Sequence, residues 1–220
     1  MLKNVKKLVS LFLVLTLSFA VSFPTFAADK TDGTKIKLGS LYVTTKYDPN
    51  SIDIDRNETK TETQVIIKDK STGKILDVWG EEKAKIPDDT IGPQMIGTFD
   101  QRVYHDKVDG PVRARLYAML EMYEYDSFVQ INKVKKMWWE KESSGNWTLE
   151  DTSVDYHMDH TPGLTVDFYG NATITVTTTT STTGSFSIGS LEGFGFSIEQ
   201  VSGSTYYARK SITNDFGFSV

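Results

Sequence analysis

The densest run of side chains able to do chemistry is Asp155-Tyr156-His157-Met158-Asp159-His160, which holds two of the chain's three histidines. Imidazole and carboxylate together suit Zn²⁺. On an extended strand, however, side chains alternate, so His157 and His160 point to opposite faces. They converge only if the chain bends at Thr161-Pro162. A third ligand such as His105 must then arrive from a distant element. The spacing selects no metal, no cofactor is expected, and a polar strand end running into a turn accounts for the cluster.

Asp53-Ile54-Asp55-Arg56-Asn57-Glu58 opens like a calcium loop, with oxygens at alternate positions. It fails where the sharp turn needs Gly, which is Glu58, and where a bidentate Glu should close the site, which is Gln64. An edge strand or solvated loop is the simpler reading. Cysteine is absent, so thiol catalysis and disulfides are both excluded. No G-x-S-x-G elbow occurs, and the Gly189–Gly195 run lacks the Lys and the helical pattern of a phosphate loop. Glu121, Glu124, Glu140, Glu142 and Glu150 lie on or beside strand-like segments and could pair as glycosidase carboxylates. Among 29 acidic residues such pairs arise easily. An enzyme is therefore the less favoured expectation.

The aromatic residues give the preferred site. Trp138 and Trp139 are adjacent, so on a strand one of them faces outward, and Trp147 follows across the Gly145 turn. Exposed indoles bind the apolar faces of sugars. Trp138, Trp139 and Trp147 are the expected binding residues, and a glycan is the expected ligand class.

The elements that must position these residues are strands. Pro111–Tyr125 alternates with period two. Val112, Ala114, Leu116, Ala118, Leu120 and Met122 share one parity, and Arg113, Arg115, Tyr117, Met119, Glu121 and Tyr123 share the other. Thr63–Lys68 and Lys74–Trp79 flank a short Gly-containing loop and read as a hairpin. Pro111–Tyr125, Phe128–Lys141 and Trp147–Met158 read as a meander. Leu164–Tyr169 is expected to turn at Gly170-Asn171 into the Thr-rich Ala172–Thr183. Ser185–Gly189, Phe194–Glu199, Thr205–Ser211 and Phe216–Val220 are expected as further short strands. The fold class expected is all-β: an antiparallel β-sandwich or partly open barrel, rich in meanders, with little helix.

Organisation and address come from the first residues. Lys3, Lys6 and Lys7 precede the apolar run Leu8–Phe23, and Pro24-Thr25-Phe26-Ala27 offers a cleavage site. This is the layout of a secretory signal peptide, and the Lys-rich start suits a bacterial exporter. The run is shorter and more interrupted than the ~20 apolar residues of a spanning helix. The expected organisation is a signal peptide at 1–27 and one secreted domain at 28–220. The Pro- and acid-rich stretch at 80–94 is the one place where that domain could divide. Without the leader lysines the chain holds 21 basic and 29 acidic residues, a net of −8. Such a chain repels phosphate backbones, so nucleic acid is not an expected partner. No permanent membrane anchor is expected either.

The expected function is thus a secreted, soluble, non-catalytic binding or structural module with an extracellular ligand. One alternative is a membrane-active toxin or antimicrobial protein that uses the Thr-rich hairpin. A second is a carboxylate-dependent hydrolase. Mass spectrometry of protein recovered from culture medium should find Ala28 as its first residue. A chain still beginning at Met1 would remove the leader reading.

Overall fold

The computed structural model describes residues 33–82 and 97–220. The leader and most of the 80–94 stretch lie outside these residues. The described chain forms twelve strands, all paired antiparallel, in two sheets.

Sheet 2 is an uninterrupted meander. Its strands are β3 (Ile52–Glu58), β4 (Glu62–Asp69), β5 (Ile75–Glu82), β6 (Gly97–Asp109), β7 (Val112–Tyr125) and β8 (Phe128–Lys141), and they pair in chain order. The hairpin expected from Thr63–Lys68 and Lys74–Trp79 is β4–β5. Its turn is organised by Asp69, whose Oδ1 accepts from the backbone N–H and hydroxyl of both Ser71 and Thr72. The Ser71 and Thr72 hydroxyls and backbone amides lower this carboxyl to about 2. A depressed carboxyl stabilises the fold above its ordinary value near 3.8, and that contribution is lost as pH falls through about 2.

Sheet 1 combines the two ends of the described chain. Its order is β1 (Thr34–Lys37), β2 (Tyr42–Thr45), β12 (Thr205–Ser219), β10 (Thr165–Thr179) and β9 (Trp147–His157). A further strand, β11 (Ser197–Ser202), pairs with the start of β12. β12 therefore has β10 along one whole side. On its other side it has β2 only at Phe218–Ser219 and β11 only at Thr205–Arg209.

The two sheets stack as a sandwich and do not close into a barrel. The expected parity of β7 is borne out: Val112, Ala114, Leu116, Ala118, Leu120 and Met122 are all fully buried. Leu116, Ala118, Leu120 and Met122 meet Val166 and Phe168 of β10, Phe216 and Phe218 of β12, and Leu41 and Val43 from the β1–β2 hairpin. A second cluster at the other end gathers Trp147, Ile174, Val176, Ala208 and Ile212 under Leu191 and Phe196.

Three local expectations are corrected. First, Gly170-Asn171 is not a turn, and β10 runs straight through it. Gly170 stands there because a Cβ would lie 2.5 Å from Leu116 Cδ2 and 2.9 Å from Trp139 Cζ2. Close packing of the facing sheet, not chain reversal, requires the glycine. Second, Ser185–Gly189 is a 3-10 turn (Gly184–Phe186) leading into α1 (Ile188–Gly193). Ser187 caps α1 by accepting from the Ser190 N–H, a local bond that competes with strand pairing. Third, β9 does not continue the meander. It leaves β8 through Ser143–Asn146 and pairs with β10 in the other sheet. Burial of Trp147 in the second cluster, with its Nε1–H donating to Ser143 O at 3.2 Å, turns the chain at this corner.

β9 is an edge strand. Asp151 and Thr152 stand opposite the single Ala172 in a β-bulge, with Asp151 at φ 49°. The bulge and the exposed Glu150, Asp151 and Asp155 discourage pairing with another chain. The Asp53–Glu58 segment is β3, the edge strand of sheet 2, and Asp55 pairs with Lys68 at 2.5 Å.

A buried carboxylate ties the β1–β2 turn to sheet 2. Glu81 is 4% exposed and points inward from β5. It accepts from the backbone N–H of Gly39 (2.8 Å), Ser40 (2.8 Å) and Leu41 (3.2 Å), and from the Ser40 hydroxyl (2.5 Å). Glu81→Ala leaves those amides without an acceptor and should cost about 2–4 kcal/mol in urea unfolding. Glu82→Ala, which removes only a surface pair with Arg102 at 3.0 Å, should cost less than about 1 kcal/mol. Equal effects of the two changes would refute the anchoring role.

Candidate functional site

The outer face of sheet 2 is built from side chains that alternate away from the core. Gln64, Gly80, Tyr104, Tyr117 and Trp138 lie directly opposite one another on β4 to β8 and form one row across the sheet. Asp106, Arg115 and Glu140 form the neighbouring row on β6, β7 and β8. A sheet face with no second layer among the described residues would normally expose such side chains. Here Tyr104 is 0%, Asp106 1%, Tyr117 6% and Arg115 8% exposed.

The burial has a local cause. Gly80 carries no side chain, so the Tyr104 ring lies flat across β5; a Cβ on Gly80 would be 1.9 Å from Tyr104 Cζ. The phenol thereby reaches β4, where it donates to Glu62 and accepts from Gln64 Nε2 at 2.9 Å. The Arg115 guanidinium covers the ring, with Cζ 3.5 Å from its centroid. Asp106 holds that guanidinium in two-point contact, Nε to Oδ1 at 2.5 Å and a terminal nitrogen to Oδ2 at 3.0 Å. The other terminal nitrogen donates to the Tyr117 hydroxyl at 3.1 Å. Such a pair recovers its desolvation cost only when its geometry is good and its remaining polar atoms are bonded, and here both hold.

The rings continue outward. Tyr117 stacks on Trp138 with centroids 5.0 Å apart and planes at 13°. Trp138 Nε1–H donates to Glu140 Oε1 at 2.5 Å. Arg102 lies 5.7 Å and Lys136 5.0 Å from the Trp138 ring centroid. Trp138 itself is half-buried, and Lys136 and Glu140 are exposed. Burial raises the Tyr104 and Tyr117 phenols above their ordinary range, so both remain protonated donors. Burial also pushes the Glu142 carboxyl up, although Arg115 pulls it back.

The three tryptophans do not form a common platform. Only Trp138 is on the outer face. Trp139 points inward, packs against both core clusters and donates to Ser153 O at 3.4 Å. Trp147 is 3% exposed within the second cluster.

The three histidines are also apart. His157 is exposed and pairs with Asp159 at 3.0 Å. His160 lies in the loop after β9. His105 is buried between the sheets, flanked by Trp79 and Phe216 at 5.0 and 5.2 Å. Asn214 Nδ2 donates to the His105 carbonyl at 3.0 Å, which turns the amide oxygen toward His105 Nδ1. Nε2 faces Asp77 Oδ1 at 2.9 Å. Both ring nitrogens thus meet acceptors. Tyr47 also bonds Asp77, and burial together with that carboxylate pushes its phenol well above the ordinary range. This cluster joins the sheets. No group of three or more metal-ligating acids and histidines converges among the described residues.

Of the glutamates weighed as catalytic pairs, Glu121 and Glu140 share the outer face of sheet 2. Glu140 stands opposite Arg115, six residues from Glu121 along β7, or ~20 Å at ~3.3 Å per residue. Glycosidase carboxylates stand ~5–9.5 Å apart. Glu150 is in the other sheet, bonded to the Thr175 hydroxyl at 2.8 Å. Glu140 and Glu142 are the two that flank Arg115. The Thr-rich segment lies in β10, an inner strand paired on both edges, with Ile174 and Val176 buried.

Sequence reading did not single out Tyr104, Asp106 or Gly80, and placed Arg115 only by parity. The available signal was a lone glycine in an otherwise bulky strand, next to a strand carrying an aromatic residue. No family model, curated protein or solved structure matches the chain.

Gly80→Ala should displace Tyr104 and Arg115 together and lower stability by about 3 kcal/mol, read by chemical denaturation. Pairing it with Tyr104→Ala should give a total well below the sum of the two single changes. Strict additivity would show that the ring does not depend on the glycine.

Proposed function

We propose that the protein is exported and acts outside the cell as a non-catalytic binding module whose ligand is a glycan, held around Trp138 on the outer face of sheet 2. One observation carries this reading. The ring row Tyr104–Tyr117–Trp138 ends in a half-exposed indole bordered by fixed hydrogen-bonding groups. A pyranose offers an apolar C–H face and a fringe of hydroxyls. The indole plane suits the first. Glu140, Arg102 and Glu82 suit the second.

The indole is held before any ligand arrives, by stacking on Tyr117 and by its bond to Glu140. Little side-chain entropy is then lost on binding. Lys136 is exposed, and its ammonium sits where a sugar would stack. It can move into water as the ligand takes its place.

A second reading, a carboxylate-dependent hydrolase acting on the same ligand class, is favoured by the raised Glu142 carboxyl near Glu140. Glycoside hydrolysis uses two carboxyl groups, and the one raised by burial suits the acid role.

A glycan array followed by calorimetry should find a retained glycan, and Trp138→Ala should weaken it at least tenfold while Tm changes little. Lys136→Ala should bind as well as the parent or better. Equal affinity for Trp138→Ala, or an array with no retained glycan, would end the proposal. New reducing ends that vanish in Glu142→Gln would favour the hydrolase instead.

A further inference from the structure

The gap beside β12 carries an inference independent of the Trp138 face. Between its contacts with β2 and β11, β12 has no paired strand on one side from Ser211 to Asp215 among the described residues. Flanking bonds show which backbone groups face that side. Val220 N–H donates to Leu164 O, and Thr180 N–H donates to Ser204 O. With the unbroken register between β10 and β12, even-numbered residues of β12 exchange bonds with β10. The N–H and C=O of Ser211, Thr213 and Asp215 therefore point into the gap. Among the described residues no backbone or side-chain group bonds them. The open stretch spans four steps of ~3.3 Å, or ~13 Å.

A cleft of about 410 Å³ opens there, with Ala172 and Ile212 as its apolar lining and Lys107, Asp109 and Lys210 among its polar residues. Two of these three charges are already paired. Lys210 binds Asp109 at 2.6 Å and the Phe194 carbonyl at 2.7 Å. Lys107 is half-buried and has no hydrogen bond or ion pair among the described residues.

We infer that this gap accepts an extended peptide as an added strand of sheet 1, with an acidic side chain of the peptide meeting Lys107. Unpaired main-chain groups in a row supply sequence-independent hydrogen bonds, as in other strand additions. Ile212, on β12 itself, meets one small apolar side chain of the added strand, and the free ammonium selects the charge beside it. The β9 edge lacks this combination because its bulge and carboxylates oppose a partner.

The probes are two capped seven-residue peptides of alternating Thr and Val, one with a central Glu and one with a central Lys. Titrated into the full-length protein at low salt, the Glu peptide should bind at least tenfold more tightly than the Lys peptide. It should shift the amide resonances of Ser211, Thr213 and Asp215. Thr213→Pro removes a donor on the open side without breaking the ladder to β10, so the fold tolerates it, and binding should fall at least tenfold. Lys107→Glu, a change at an unpaired side chain, should reverse the order of the two peptides. This variant keeps the test decisive if Thr213→Pro fails to fold. The inference is overturned by no binding of either peptide at millimolar concentration, by binding that ignores both substitutions, or by shifts confined to other strands. A parent dimer in sedimentation that Thr213→Pro dissociates would also overturn it, by assigning the gap to a second copy of the chain.

Discussion

At Arg115 and Tyr117 β7 is buried on both faces, and the rest of the molecule is arranged around that constraint. Its even-numbered residues are sealed by sheet 1, as the inner face of any sandwich is. Its odd-numbered residues receive no second sheet among the described residues, yet Arg115 and Tyr117 are nearly as hidden. Long side chains laid flat provide the cover: a ring over a glycine, a guanidinium over the ring, a carboxylate fixing the guanidinium. This cover is polar at every layer, so it holds only while each group keeps its partner. Removing Asp106 would strand a buried cation, whereas removing a methylene from the inner face would only loosen packing.

The same arrangement separates what stabilises from what is offered to a ligand. Tyr104 and Arg115 are committed to one another and to Asp106 and Glu62. Trp138, one strand further out, inherits their rigidity through Tyr117 but keeps part of its surface in solvent. The glycan reading depends on this gradient from fixed interior to available rim. It does not depend on a cluster of tryptophans, since Trp139 and Trp147 are structural.

Much of the fold was legible in the sequence because period-two alternation over β7 and the turn chemistry of Asp69–Gly73 are local signals. For the acid-rich Asp53–Glu58 segment the residues left an edge strand or a loop open, and the pairing with β4 decides for the edge strand. Gly170 misled because a glycine beside an asparagine reads as a turn, and only the facing Leu116 and Trp139 reveal the other cause. The Ser/Gly/Phe-rich stretch near 184–195 misled because a serine cap can convert a weak strand former into a short helix. The passage of β9 into the other sheet depends on where Trp147 is buried, which no short window contains. For the site, parity put Arg115 on the odd-numbered face of β7 and required one of Trp138 and Trp139 to face outward. The pairings with Asp106 and Tyr117 required the register of three strands, and that is a long-range property.

The pairing of Val43 with Phe218 and Tyr42 with Ser219 has a temporal consequence. Sheet 2 joins neighbours in chain order, so its contacts are close in sequence and need little closure entropy. Sheet 1 joins residues separated by nearly the whole described chain. Its N-terminal hairpin has no strand of its own sheet to pair with until the last strand exists, so a nascent chain holds a formed meander and an unfinished partner layer. Whatever escorts the growing polypeptide must shield the inner face of β7 during that interval.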